Sequence, residues 1–123
     1  MKVPKLFKVV GLCIFLYCHS MLSIEELPLL ISVCTYNASP WVEKNLDSIF
    51  SQQYDNFHVI YIDDASTDDT AIKVQQYIDT HNVHNKITLL VNQTRERKMK
   101  NIYNAFHQCP DDVIIVQVDG DDW

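Results

Sequence analysis

The 123-residue chain carries sixteen acids against ten bases, a formal charge of −6, and three of the bases (Lys2, Lys5 and Lys8) precede the first acid, Glu25. So acidic a body argues against a nucleic-acid partner, because phosphate backbones select basic surfaces. Two glycines, Gly11 and Gly120, cannot spell a glycine-rich phosphate loop, and an apolar content of 47% with no low-complexity tract excludes a disordered chain.

The predicted elements begin with residues 1–20. Three lysines precede the uncharged, mostly apolar run Val9 to Cys18, and Cys18-His19-Ser20 follows. This is the layout of a secretory signal, with a cut after Ser20. The run is short of the roughly 20 apolar residues of a spanning helix. Two alternatives stay open: an uncleaved short membrane anchor that extends through Met21 to Ile24, and a true start at Met21. The first two readings place the protein in the secretory pathway or at a membrane through its N-terminus; the third places it in the cytoplasm. Residues 21–28 read as a linker, and residues 29–123 as one α/β domain.

Within that domain strands and helices alternate. Leu29 to Cys34 reads as a buried strand. Ser39-Pro40 is expected to open a helix, with Ser39 as cap and Pro40 at the first helical position. Val42, Leu46, Ile49 and Phe50 then share one face. Phe57 to Ile62 is the second strand. Ser66-Thr67-Asp68-Asp69 offers a cap and early acids to a second helix, whose inner face is Ala71, Val74 and Ile78. Ile87 to Val91 is the third strand. Met99, Ile102, Ala105 and Phe106 mark the apolar face of a third helix, and Val113 to Val118 is the fourth strand.

Near-continuous apolar strands separated by amphipathic helices predict a Rossmann-like parallel sheet covered on both faces. Right-handed crossovers bring every strand's carboxyl end to one edge. There stand Thr35-Tyr36-Asn37, Asp63-Asp64, Asn92 and Asp119-Gly120-Asp121-Asp122. With strand order 3-2-1-4, Thr35-Tyr36-Asn37 faces the terminal acids across the crevice where ligands of open α/β sheets bind. Clustered carboxylates either hold a cation or stay solvated. An oxygen-lined site suits Mg or Mn shared with substrate phosphates, so the residues by themselves point to a metal-dependent site for a nucleotide diphosphate.

Four segments carry a resemblance that goes further. Leu30-Ile31-Ser32-Val33-Cys34-Thr35-Tyr36-Asn37 resembles the opening strand of family 2 glycosyltransferases, and Leu46 to Tyr54 resembles their first helix and its exit. Ile60 to Thr70 is similar to their second motif, and Val118-Asp119-Gly120-Asp121-Asp122 to their DxD motif. The order and spacing match, and the segments cover essentially all of residues 29–123.

The resemblance implies the GT-A fold and transfer of a sugar from a nucleotide-diphosphate donor to an acceptor, which is a glycan, lipid or protein. It places Thr35, Tyr36, Asp64 and Asp119 against the base and ribose, and Asp121, with Asp119, on a Mn or Mg ion bridging the diphosphate. Asp122 is a weaker candidate. Arg97 is the donor-contacting base in the stretch Arg95 to Lys100; Arg95, Lys98 and Lys100 read as solvated surface. The family usually inverts, with a carboxylate base from a segment beyond Trp123. The chain therefore reads as the N-terminal, donor-binding half, cut after the DxD motif and inactive alone. A non-catalytic nucleotide- or metal-binding module is the alternative. A receiver-like signalling domain would put paired acids after the first strand, where Thr35-Tyr36-Asn37 stands instead.

The remaining candidates read as structural. Asp63 holds its loop and Asn37 is a turn residue. Cys34 and Cys109 lack metal-ligand spacing and read as buried thiols. His81 and His84 are surface, Trp41 is packing, and Trp123 has little to hold it in place.

Overall fold

The computed structural model describes residues 27–123, so the readings for residues 1–20 and for most of the 21–28 linker lie outside the described residues. Among the described residues no helix is long and apolar enough to cross a membrane.

The element order is β1 (Leu29–Thr35), a 3-10 turn (Ser39–Trp41), α1 (Val42–Phe50), β2 (Phe57–Asp63), α2 (Thr70–His81), β3 (Ile87–Val91), α3 (Lys98–Phe106) and β4 (Ile114–Asp119). All pairings are parallel, in the expected order β3-β2-β1-β4. Register sets the working edge. Thr35 pairs with Asp63, and Cys34 with Asp119, so three strands end level to within about one residue and their polar tails share a rim.

Alternation along the strands divides the core. Ile31 and Val33 of β1 face the same side as Val59 and Tyr61 of β2, where Val42, Leu46 and Ile49 of α1 and Val74, Tyr77 and Ile78 of α2 close over them. Leu46, Val33, Val59, Val74 and Tyr61 are fully buried, each contributing on the order of 1.5–3 kcal/mol by leaving water. The opposite face is thinner: Cys34 and Ile62 meet Ala105 of α3, with Ile60, Ile102 and Phe106 alongside. Here the expectation of a sheet covered on both faces is met only at its centre. Ile114 and Val116 of β4 and Leu90 and Val91 of β3 are exposed.

Local differences from the predicted elements have tertiary causes. Ser39 makes no side-chain cap; its hydroxyl donates to Asp69 and its N–H to Asp68 Oδ2 at 3.2 Å, so a 3-10 turn with Pro40 in its first turn precedes α1. The carboxylate that ties down the start of α2 is Asp68, which accepts from the Thr70 N–H at 3.0 Å. Met99 is 76% exposed and leaves the apolar face of α3, which Ile102, Ala105 and Phe106 form alone. Tyr77, absent from the predicted face of α2, is buried with its hydroxyl donating to Asp47 Oδ1 at 2.8 Å.

Candidate active site

A cleft of ≈ 640 Å³ opens at the carboxyl ends of the strands, lined by residues of four segments that include Thr35, Tyr36, Asp64, Arg97, Asp119 and Asp121. These six residues expected from the sequence therefore lie on one cavity, which Asp122, the weaker candidate, does not line. The size lies within the usual range of small-molecule sites.

The first wall is the loop after β1, and the loop after β2 holds it. Asn37 has φ 52°, its N–H donates to Ser66 Oγ at 2.9 Å, and its Oδ1 accepts from the Thr67 N–H at 2.9 Å. The Ala38 N–H donates to Thr70 Oγ1 at 3.0 Å. Asp63 accepts the Ser66 hydroxyl and so anchors the same network, as expected of a loop-holding residue. The side chain of Tyr36 is left 38% exposed at the cleft. Thr35 is buried, and its hydroxyl donates to the Ile62 carbonyl at 3.2 Å. That leaves its methyl and backbone to form the cleft wall.

Asp64 organises the second wall. Its Oδ1 accepts from Asn92 Nδ2 and from the Glu96 N–H, both at 2.8 Å, and its Oδ2 accepts from the Arg97 N–H at 2.8 Å. Burial opposes its charge, but the neighbouring Asn101 amide and the hydrogen bonds from Asn92, Glu96 and Arg97 outweigh that and hold its carboxyl below the usual carboxylate range. An ionised carboxylate offers about four acceptor positions, so three protein donors leave roughly one for a ligand. The bond to Arg97 also explains an unusual backbone. Arg97 sits at φ 69° and ψ 153°, a region that ordinarily belongs to glycine. Arg97 is itself one of the residues that border the cleft.

Two other bases, exposed as expected of surface, nonetheless have partners at the cleft. The Arg95 guanidinium lies 3.6 Å over the Tyr36 ring, with its Nε 4.0 Å from Asp64 Oδ2. Lys98 pairs with Asp119 across the cleft, donating to Oδ2 at 2.6 Å; it also touches Oδ1, which gains no directed hydrogen bond. That bond keeps the Lys98 ammonium protonated above its ordinary range. Both residues stand in the basic run visible in the sequence. What the run could not show is which of its members turn inward. Lys100 pairs instead with Glu96, in the loop just before α3.

The floor is the turn after β4. Gly120 is buried against Thr35: a Cβ there would lie 2.0 Å from Thr35 Cγ2. Its φ is not positive, so close approach, and no special backbone angle, is what requires glycine. Asn45, fully buried on α1, donates through Nδ2 to the carbonyls of Asp119 at 3.1 Å and Asp122 at 2.7 Å. Nothing in the sequence pattern singled Asn45 out, since a polar residue between apolar helix positions ordinarily faces solvent. Trp123 is better held than expected, its ring stacked on Trp41 at 5.1 Å with the Lys44 ammonium 3.5 Å over it. Trp41, in turn, is a cleft-lining residue and 42% exposed. Cys34 and Cys109 are free thiols; Cys34 is buried, whereas Cys109 is only half-buried.

Among the described residues no group of three histidine, cysteine or acidic side chains is placed to hold a metal ion unaided. Asp119 and Asp121 supply oxygen donors only. Such a pair fits a hard cation that completes its shell with water and phosphate oxygens, and does not fit a self-sufficient protein cage.

The profile of Glycosyl transferase family 2 matches residues 30–123. The chain belongs to this family. The family 2 domain is 34% identical over 87 residues to the candidate glycosyltransferase EpsE of Bacillus subtilis, covering 71% of this chain and 30% of EpsE. It is 38% identical over 53 residues to an uncharacterized glycosyltransferase of Haemophilus influenzae, covering 42% of this chain and 16% of that protein. Among solved structures it resembles the mannosyltransferase PcManGT of Pyrobaculum calidifontis, in complex with GDP-Man and Mn2+. The TM-score is 0.72 at 26% identity, over 89% of this chain and 34% of that one. TarS of S. aureus follows, with a TM-score of 0.61 at 26% identity over 77% of this chain and 17% of that one. The four-stranded parallel sheet is thus the N-terminal half of a GT-A fold, and the chain spans about a third or less of the length of the relatives it matches.

Proposed function

We propose that this family 2 domain binds the nucleotide-diphosphate sugar donor of a sugar transfer to a glycan, lipid or protein acceptor, with a divalent cation. The observation that carries this reading is the convergence of Thr35, Tyr36, Asp64, Arg97, Asp119 and Asp121 on one cleft. PcManGT, similar over most of this chain, is described in complex with GDP-Man and Mn2+.

In this reading the base and ribose lie along Tyr36 and Asp64. Tyr36 offers a ring face once the Arg95 guanidinium shifts, and Asp64 accepts an N–H through its remaining lone pair. Thr35 forms the wall behind them. Arg97 reaches the diphosphate from the opposite side, and Asp119 and Asp121 hold Mn or Mg beside it. When bound, that cation neutralises charge building on the departing diphosphate. The displacement is read as inverting. The reading gives the role of base to none of the cleft carboxylates, because Asp64 is engaged by protein donors and Asp119 and Asp121 are assigned to the cation. A carboxylate outside the donor cleft would take the acceptor proton.

Equilibrium binding of UDP- and GDP-sugars, with and without Mn2+, tests the proposal. Saturable, cation-enhanced binding that Asp121→Asn weakens at least about tenfold is the expected result. Binding of a nucleotide without any sugar transfer or hydrolysis would favour a non-catalytic binding module. No binding of any nucleotide sugar by a folded protein would refute both.

A further inference from the structure

The two carboxylates of the floor are not equivalent. Asp121 is exposed and has no ion-pair partner among the described residues, whereas Asp119 is claimed by Lys98. This pair differs from local ion pairs such as Lys100–Glu96, four residues apart in sequence. Lys98 opens α3 directly after the strained Arg97 and reaches across the cleft to the end of β4, a sequence separation of 21 residues. Among the described residues Asp119 is its only acceptor, and both side chains are half-exposed, at 50% and 40%. The lysine is therefore near its carboxylate yet free to swing. Its ammonium occupies the Asp119 carboxylate, which a cation held by that residue would need.

We propose that Lys98 is a resident counterion that keeps divalent cations off Asp119 until a diphosphate offers the ammonium new acceptors. This rests on the donor-binding reading of the same cleft. A bare cation would have to displace the ammonium and leave it without a partner, gaining only two protein oxygens. A cation arriving with a diphosphate brings phosphate oxygens for itself and for Lys98, so the ammonium exchanges one anion for another. Cation binding thereby becomes conditional on donor binding, and the two enter together.

Binding of Mn2+, followed by loss of the free-ion paramagnetic resonance signal, tests this in the protein and in Lys98→Met, Lys98→Gln and Lys98→Arg, each checked for folding by circular dichroism. Without nucleotide, Lys98→Met and Lys98→Gln are expected to bind Mn2+ more tightly, by up to roughly fivefold, the upper range for one half-exposed ion pair. Lys98→Arg should match the unaltered protein. Adding UDP, GDP or inorganic diphosphate should tighten Mn2+ binding in the unaltered protein and do so less in the neutral variants. Unchanged or weaker Mn2+ binding by folded Lys98→Met and Lys98→Gln would overturn the proposal, as would tighter binding by Lys98→Arg. If the neutral variants gain Mn2+ affinity but no diphosphate affects any form, the counterion stands and the donor-binding reading fails.

Discussion

Gly120→Ala is the most direct test of how the cleft floor is built. The added methyl would lie 2.0 Å from Thr35 Cγ2 and 2.9 Å from Thr35 Cβ, inside any permissible carbon–carbon contact. Thr35 cannot simply turn aside. It is β-branched, with few rotamers, and its hydroxyl is tied to the Ile62 carbonyl at 3.2 Å. The strain of overpacking is about 1–3 kcal/mol, and releasing it by rotating Thr35 would sacrifice a buried hydrogen bond of about 1 kcal/mol. Against this, alanine restricts the unfolded chain and recovers about 0.4–1 kcal/mol; with φ not positive at this residue, it adds no dihedral penalty. The net expectation is a loss of about 2 kcal/mol in urea unfolding. Because the floor carries Asp119 and Asp121, a weaker Mn2+-dependent nucleotide affinity should accompany it. Thr35→Ser removes the clashing methyl and keeps the hydroxyl. In the double variant roughly half the loss should return, as a coupling of about 1 kcal/mol. A single variant within about 0.5 kcal/mol of the unaltered protein, or a double variant with no recovery, would refute the close-approach argument.

Asp64→Asn turns an NH2 group toward a backbone donor and should cost about 1–3 kcal/mol at pH 7 in denaturant unfolding. The folded Asp64 carboxyl is held below its ordinary range, so its stabilisation is full above the unfolded value near 3.9 and fades as pH falls toward the folded one. The two unfolding curves should converge below about pH 4, and a gap that stays constant down to pH 3 would contradict the assignment. Arg97→Gly relieves a backbone at φ 69° and should raise stability by about 1 kcal/mol while lowering nucleotide affinity; thermal melting with and without UDP or GDP separates the two effects. Asn45→Asp would set a buried carboxylate against the carbonyls that now accept its amide. A loss of about 3 kcal/mol or more in urea unfolding is expected, and an ordinary surface-sized effect would show that Asn45 does not hold the turn.

Much of this protein was legible in its sequence because its signals are local or periodic. Apolar runs near residues 31, 59, 89 and 116, with helical faces between them, specify a parallel α/β sheet whatever the details of packing. Parallel crossovers then send polar residues after each strand to one edge without further information. That is why Thr35, Tyr36, Asp64, Asp119 and Asp121 could be placed together in advance, whereas Arg97 joined them only through the family resemblance. The tertiary structure decided how those residues are used, since hydrogen-bond partners distant in sequence leave no periodic trace. Asp64 spends three of its acceptor positions on a loop some thirty residues away and fixes where Arg97 emerges. Ser39, a cap by its local sequence, serves Asp68 and Asp69 instead. Lys98 and Lys100 sit two residues apart in one charge run, yet helix rotation sends one across the cleft to Asp119 and the other back to Glu96, in the loop before α3. Asn45, which no sequence pattern marks, is buried where it holds the turn after β4. Sequence pattern determines which side chains reach the rim; only packing determines which of them are already committed to one another.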